Sequence, residues 1–367
     1  STMQLNRLKW ETTTEYNTGL DASFLKGKLR FTVDVYQKYI KDLLQKKVKM
    51  PTSIGYGNGY EVSYMNSGKM TNKGWEFRVD AVPFENRDWR VGFYFNIAHN
   101  ENKITEMPDN YTEENYTFNN GEYAYRREEG RPMGSFYGYR YKGVCQNKDA
   151  TYARDADGNV MKDISGNAIV MRNGTATIAP GDALYEDINH DGVINQYDIV
   201  YLGNSNPRFT GGAGVNVSYK QFKLSAIFYG RYGQDVVNST RLNNESMRGI
   251  DNQSTAVLRR WRNEGDQTDI PRALYGEGYN TLGSDRFVED ASYLRLKSLS
   301  FNYRLPKKII QRWGFNNIDV YVTGYNLFTW TKYTGQDPEV KTENTYARDS
   351  ATTPASIQLV AGFNLSF

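Results

Sequence analysis

The final stretch, Ala355-Ser356-Ile357-Gln358-Leu359-Val360-Ala361-Gly362-Phe363-Asn364-Leu365-Ser366-Phe367, decides how the rest of the chain is read. Every second residue from Ile357 is apolar, so Ile357, Leu359, Ala361, Phe363, Leu365 and Phe367 share one face. Gln358, Val360, Gly362, Asn364 and Ser366 share the other. A period of two belongs to a β-strand, whose successive side chains leave opposite sides of the backbone. Such a two-sided strand suits a membrane β-barrel, with lipid outside and water or polar side chains inside.

The same alternation recurs upstream. Residues 9–24 carry Trp10, Thr12, Thr14, Tyr16, Thr18, Leu20, Ala22 and Phe24 on one face. Leu29, Phe31, Val33 and Val35 follow a tight turn at Lys26-Gly27. Further strands carry Trp75, Phe77, Val79 and Ala81, then Trp89, Val91, Phe93, Phe95 and Ile97. Residues 209–219 and 222–230 repeat the pattern across a minimal Lys220-Gln221 turn. In 292–304 the parity changes between Leu296 and Leu299, which predicts a β-bulge near Lys297 and Ser298. Ile318, Val320 and Val322 open an eighth strand, and the final stretch is the ninth.

Connections between these strands are alternately short and long. The long ones are expected to be loops at 43–70, 100–206, 235–290 and 331–354. A strand over 135–144, a turn at Asp155-Ala156-Asp157-Gly158 and a helix over 254–263 are expected within them. That helix would be capped by Ser254, with Val257, Leu258 and Trp261 on one face. Residues 306–314, with Pro first and Gly last, read as a one- to two-turn helical connector whose apolar stripe is Ile309, Ile310 and Trp313. Long loops on one rim and short turns on the other are characteristic of outer-membrane barrels. Nine strands cannot close an even-numbered barrel, so the chain is expected to be the C-terminal part of a longer polypeptide, with Ser1 on the extracellular side.

Composition narrows the function. No run of about eighteen apolar residues is present and the mean hydropathy is −0.71, which excludes a transmembrane helix. Residues 1–10 do not read as a secretory leader. The 29 Tyr outnumber the 17 Phe, an excess of amphipathic rings that suits an interface belt. A net charge of +3 with both signs dispersed gives no case for nucleic acid. The lone Cys145 rules out an internal disulfide or a thiolate cluster.

One motif carries specific chemistry. Residues 187–198 place oxygen donors at loop positions one, three, five, nine and twelve: Asp187, Asn189, Asp191, Asn195 and Asp198. Gly192 stands at position six, the Val193 carbonyl at seven and Ile194 at eight. This is the spacing of an EF-hand-type calcium loop, and calcium takes six to eight oxygen ligands. Asp in place of Glu at position twelve shortens the reach, and no helix signal precedes the loop, so a structural brace is expected rather than a sensor. The two histidines, His99 and His190, lack zinc-motif spacing, and no nucleophile-elbow or phosphate-loop motif is present. The Gly-rich 55–60 run has no helix after it. Loop rings at Tyr56, Tyr60, Tyr64, Tyr111, Tyr116, Phe118, Tyr123, Tyr125, Trp261, Tyr275, Tyr279, Trp330 and Tyr333 offer either a sugar- or peptide-stacking surface or packing between loops.

Several stretches resemble the C-terminal part of SusC/RagA-like TonB-dependent transporters of the Bacteroidetes outer membrane. They are Leu8-Lys9-Trp10-Glu11-Thr12-Thr13, Asn66-Ser67-Gly68 with Asn72-Lys73-Gly74-Trp75-Glu76, and Pro180-Gly181-Asp182. The series continues with Gly203-Asn204-Ser205-Asn206-Pro207-Arg208-Phe209 and with Ala291-Ser292-Tyr293-Leu294-Arg295-Leu296-Lys297 followed by Leu305-Pro306. Asn326-Leu327-Phe328-Thr329-Trp330 and Tyr333-Thr334-Gly335-Gln336-Asp337-Pro338-Glu339 complete it. The resemblance implies that residues 1–367 are part of a 22-stranded transmembrane antiparallel β-barrel, all-β, with a plug and a TonB-contacting segment elsewhere. It implies a SusD-like surface lipoprotein partner and import of an oligosaccharide or peptide; Phe367 resembles the terminal aromatic read by barrel assembly. A receptor or adhesin barrel that binds without transport is the alternative, and a loop-borne hydrolase is disfavoured by the shortage of histidine.

Overall fold

The computed structural model describes residues 8–49, 61–66, 68–107, 122–124, 127–343 and 346–367. Nine long strands pair in sequence order as one open antiparallel sheet. They are β1 (Thr12–Phe24), β2 (Leu29–Lys41), β3 (Lys69–Glu85), β4 (Trp89–Glu106) and β5 (Phe209–Tyr219). Then come β6 (Phe222–Tyr232), β7 (Tyr293–Arg304), β8 (Asn317–Thr331) and β9 (Gln358–Ser366). All nine expected strands form, and short and long connections alternate as expected.

The register carries each expected face across the sheet. Ala22, Phe31, Val79, Phe95, Ala213, Phe228, Leu296 and Phe328 stand side by side in one row on the apolar face. On the opposite face the adjacent row runs Asp21, Thr32, Arg78, Asn96, Gly212, Tyr229, Arg295 and Thr329. The bulge falls where the parity change requires it: pairing slips between Leu296 and Ser298 against both neighbours. The extra residue returns Leu299, Phe301 and Tyr303 to the face that Leu294 and Leu296 occupy.

Apolar side chains are distributed inside out with respect to a water-soluble sheet. Leu359 and Phe363 on β9 remain 75% and 67% exposed, while Phe136 and Tyr137 in a long connection are fully buried. Two aromatic rows bound the exposed apolar band. Near the short turns Trp89 meets Tyr219 at 4.3 Å and Phe222 stacks on Tyr303 at 4.7 Å. Near the long connections Trp75, His99, Phe209 and Tyr232 follow one another at 6.1, 5.2 and 6.5 Å. Trp89 and His99 are ten positions apart on β4, as are Phe209 and Tyr219 on β5 and Phe222 and Tyr232 on β6. Ten residues at about 3.3 Å, tilted near 40°, span about 25 Å, the height of a lipid-facing band.

Four expectations are corrected. Residues 43–70 are not a plain loop: Leu44–Lys49 pairs antiparallel with Glu61–Asn66 as a separate two-stranded sheet. Residues 135–144 form two strands, Ser135–Gly138 and Tyr141–Val144, which pair with Val200–Asn204 and Ala183–Tyr185 rather than running as one. The helix expected over 254–263 shrinks to a 3-10 turn, Thr255–Arg259. Ser254 does cap it through Ala256 N–H, and Val257 is buried while Leu258 is 65% exposed. In the connector, a helix Lys307–Ile310 and a 3-10 turn Gln311–Trp313 form as expected, yet only Ile310 is buried. Ile309 and Trp313 stay exposed.

Opposite faces of one strand give an internal control. Val215→Arg places a charge mid-band on the lipid side, at a cost of about 2–4 kcal/mol, whereas the adjacent Asn216→Arg points into the polar interior. Urea titration of the full-length protein in lipid vesicles should show the loss for Val215→Arg alone. Equal losses at the two sites would refute the assignment of faces.

Candidate functional site

The described residues of three long connections, within 107–208, 233–292 and 332–357, pack into one cap. Tyr137, Cys145, Tyr185 and Ile194 share a core with Leu282. Phe136 packs with Val237, Leu242, Phe287 and Tyr346, and Val236 with Ala291, Tyr333 and Ala347. Arg286, almost fully buried, lies between Tyr141 and Phe287 at 5.2 and 4.9 Å and donates to Glu245 at 2.7 Å. A guanidinium stacked between rings and paired to a carboxylate is a tolerated form of buried charge. Burial and the nearby Asp182 push the Cys145 thiol up to about 11, so it stays protonated and unreactive.

Several of the stretches that carry the family resemblance make polar ties, one between wall and cap and others within the cap or beside the first strands. Arg295 on β7 donates to Asp337 and, at 2.9 Å, to Glu339, which also takes Lys297 at 2.9 Å. The Leu-Arg-Leu-Lys and Gln-Asp-Pro-Glu segments are therefore two halves of one latch. Asp182, wholly buried, receives Arg272 at 2.7 Å and Asn280 at 3.2 Å. Its neighbour Gly181 leaves room for the Trp261 ring, since a Cβ there would come within 2.4 Å of Cε3. Ser205 accepts from Ala347 N–H at 2.6 Å, and Asn66 bridges Lys9 and Asp42 through its amide.

Loop 187–198 folds around its own carboxylates. Asp187 accepts from Gly192 N–H at 2.7 Å and Asp191 from Val193 N–H at 2.8 Å. Asn189 donates to Asp191 at 2.9 Å, and Asn195 donates to the Val193 carbonyl at 3.0 Å. Asp198, at position twelve, turns back to accept from Ile188 and Asn195 N–H groups, both at 2.8 Å. Gly192 takes the left-handed φ of 82° that the turn requires, and Ile194 at position eight is buried in the cap core. Burial raises the Asp198 carboxyl above its usual range against those two backbone donors, and Asp187 and Asp191 push the same way. Negative charge is crowded here on an all-oxygen donor set. Among the described residues, no three His, Cys, Asp or Glu side chains are yet gathered as a metal site.

The loop rings do not act as a set. Tyr123 and Tyr333 are buried in the cap, Tyr275 is 80% exposed, and Trp330 lies on the lipid-facing side of β8. Tyr56, Tyr60, Tyr111, Tyr116, Phe118 and Tyr125, and the Gly-rich 55–60 run, fall outside the described residues. The inner wall is mainly polar, Ile227 and Val360 apart: Ser225 bonds Asn216 at 2.7 Å and Ser300 bonds Thr323 at 2.8 Å. Its cations and aromatic rings were not singled out from the sequence, although strand parity places them all on the inner face.

A two-faced sheet bounded by aromatic rows, with a folded cap on one rim, defines the wall of an outer-membrane β-barrel. The chain belongs to the TonB-dependent receptor β-barrel family, whose model, described as TonB dependent receptor-like, beta-barrel, matches residues 2–327. TonB-dependent receptor P3 of Formosa agariphila is 32% identical over 349 residues, covering 92% of this chain and 32% of that protein. TonB-dependent receptor SusC of Bacteroides thetaiotaomicron is 27% identical over 370 residues, covering 98% and 32% respectively. A solved structure of the RagAB peptide transporter superposes with a TM-score of 0.72 at 27% identity, covering all of this chain and 36% of that one. The chain spans about a third of the length of the curated relatives it matches.

Removing the latch cation tests its role. Arg295→Ala leaves Asp337 without its cation, while Glu339 keeps Lys297, so a loss near the lower end of the range for a broken buried pair, about 3 kcal/mol, is expected. Hydrogen exchange should rise across 332–343 with the strands unaffected; an unchanged exchange pattern counts against the latch. Burial works against the Asp337 charge, but the N–H groups of Ala355 and Glu339 and the Arg295 guanidinium outweigh it and hold the carboxyl below its usual range. Its contribution is thus complete above the ordinary carboxylate pKa and is lost only as pH falls through the depressed value. In the wild type, protection across 332–343, corrected for the intrinsic pH dependence of amide exchange, should be constant between pH 5 and neutrality and fall only in stronger acid.

Proposed function

We propose that this chain forms the C-terminal part of the barrel of an active importer, which carries an oligosaccharide or peptide across the outer membrane under TonB drive. The observation that carries this reading is the match over the whole of this chain with one solved transporter structure. Similarity to a protein named SusC and to a peptide transporter supports import over simple adhesion. On this reading a SusD-like surface lipoprotein closes over the cap, and the polar inner wall lines the route of the solute. The reading assigns no catalytic role to any residue.

The experiment is uptake by cells carrying or lacking the full-length gene. Labelled oligosaccharides and labelled peptides are offered in parallel, with the surface lipoprotein recovered by affinity capture. Uptake of one class should vanish with the gene and on loss of TonB. Equal uptake by cells without the gene would sink the proposal.

Loop 187–198 enters the same reading as a calcium-stiffened brace of the cap. Asp187, Asn189, Asp191, the Val193 carbonyl, Asn195 and Asp198 would hold the ion once the Asn195 amide releases that carbonyl. Bound calcium would neutralise the crowded carboxylates and rigidify the turn. Elemental analysis of the full-length protein should find about one calcium per chain, lost in Asp187→Ala with Asp191→Ala while the barrel remains folded. Identical metal content in the two proteins removes the assignment.

A further inference from the structure

The inner wall near the short turns gathers five cations around one cleft: Lys28, Arg30, Arg78, Arg90 and Lys223. Register makes the cluster. Arg30 lies opposite Asp80, and Asp80 opposite Tyr94, while Arg90 lies opposite Ser218 and Ser218 opposite Lys223. Two carboxylates answer the five cations. Asp80 is taken by Arg78, which grips it through two bonds of 2.7 and 2.8 Å. Glu85 is shared between Lys28 and Arg90, each at 3.5 Å. Among the described residues, Lys223 makes no ion pair and Arg30 acts on Asp80 across the strand pair without a direct contact; both side chains are exposed on the inner face of this chain.

The cleft also has a stacking surface. The Tyr94 ring lies against β5 where Gly214 has no side chain; a Cβ there would come within 2.1 Å of the ring. The Arg78 guanidinium stands over that ring at 5.4 Å. Space of about 700 Å³ is within the usual range for small-ligand clefts. Cations on a confined, low-dielectric wall raise the local concentration of anions.

We infer that this cleft receives an anionic, carboxylate-bearing solute on its way through the lumen, held by Arg30 and Lys223 with Tyr94 beneath it. The inference rests on the import reading and narrows its cargo: a glutamate-rich peptide or a uronate-bearing oligosaccharide supplies the same carboxylates. An acidic surface of the protein's own remaining polypeptide is the competing occupant.

The test uses the purified full-length protein and cells expressing it. Four probes are titrated by calorimetry: a pentaglutamate peptide, its pentaglutamine counterpart, a trigalacturonate and a neutral trigalactose. One acidic probe should bind at least tenfold more tightly than its neutral counterpart, and which one does so identifies the source of the carboxylates. That advantage should shrink about tenfold in Arg30→Gln with Lys223→Gln, and it should fall with added salt. Equal binding of acidic and neutral probes, no binding of either acidic probe, or an unchanged advantage in the double variant overturns the inference. So does a double variant that becomes protease-sensitive in the remaining polypeptide while binding acid normally, because the cations then serve that polypeptide. Binding with the expected preference but without cellular uptake leaves the anion site standing and refutes import instead.

Discussion

Hydrocarbon offers no hydrogen-bond partner to a peptide group, so a strand that crosses it must have every N–H and C=O met by a neighbouring strand. That constraint explains the unbroken register from β1 to β9 and the absence of Pro from the middle of the apolar band. The ladder does slip at Ala81–Phe84, near a short turn, and within β7, where the bulge has a job. At Lys297 the ladder slips by one residue, and the slip keeps leucines on the lipid side both above and below it. Without the slip, Leu299, Phe301 and Tyr303 would turn into the lumen and Ser298, Ser300 and Asn302 into lipid.

Below the cap, the chain stabilises itself by facing its apolar side outward; within the cap it follows the ordinary rule and buries it. The two regimes meet at the upper aromatic row, where Trp75, His99, Phe209 and Tyr232 mark the change of solvent. Tyr and Trp suit that level because one end of each ring is apolar and the other accepts water. Cap and wall are then locked by charge. Arg295 rises from a strand to hold Asp337 and Glu339, and Asp182 holds Arg272 and Asn280 inside the cap.

Much of this was legible in the residues. Period-two alternation located all nine strands, because each is wet on one side and greasy on the other. The same signal is missing from 43–70, rich in Gly, Tyr and Lys, and so the hairpin Leu44–Lys49 with Glu61–Asn66 passes for a loop. It fails again in the cap, where Ser135–Gly138 and Tyr141–Val144 are too short to show a period and pair with partners about forty to seventy residues away. The 254–263 segment had its cap residue read correctly and its length overestimated, because Leu258 faces solvent and no second apolar turn supports a helix. The spacing of 187–198 announced a tight acidic turn, and Gly192 and Ile194 do what that spacing asks. Family-marking motifs gave no hint that they bind one another, since the partners lie some forty to a hundred residues apart.

The shared core of the cap has a consequence for how such a protein can change. Because Phe136, Phe287 and Tyr346 come from three separate excursions yet share one core, no single excursion can drift or be swapped alone. Recognition at the cell surface would have to be re-engineered, by evolution or by design, as a matched trio of inserts grafted onto an otherwise indifferent wall.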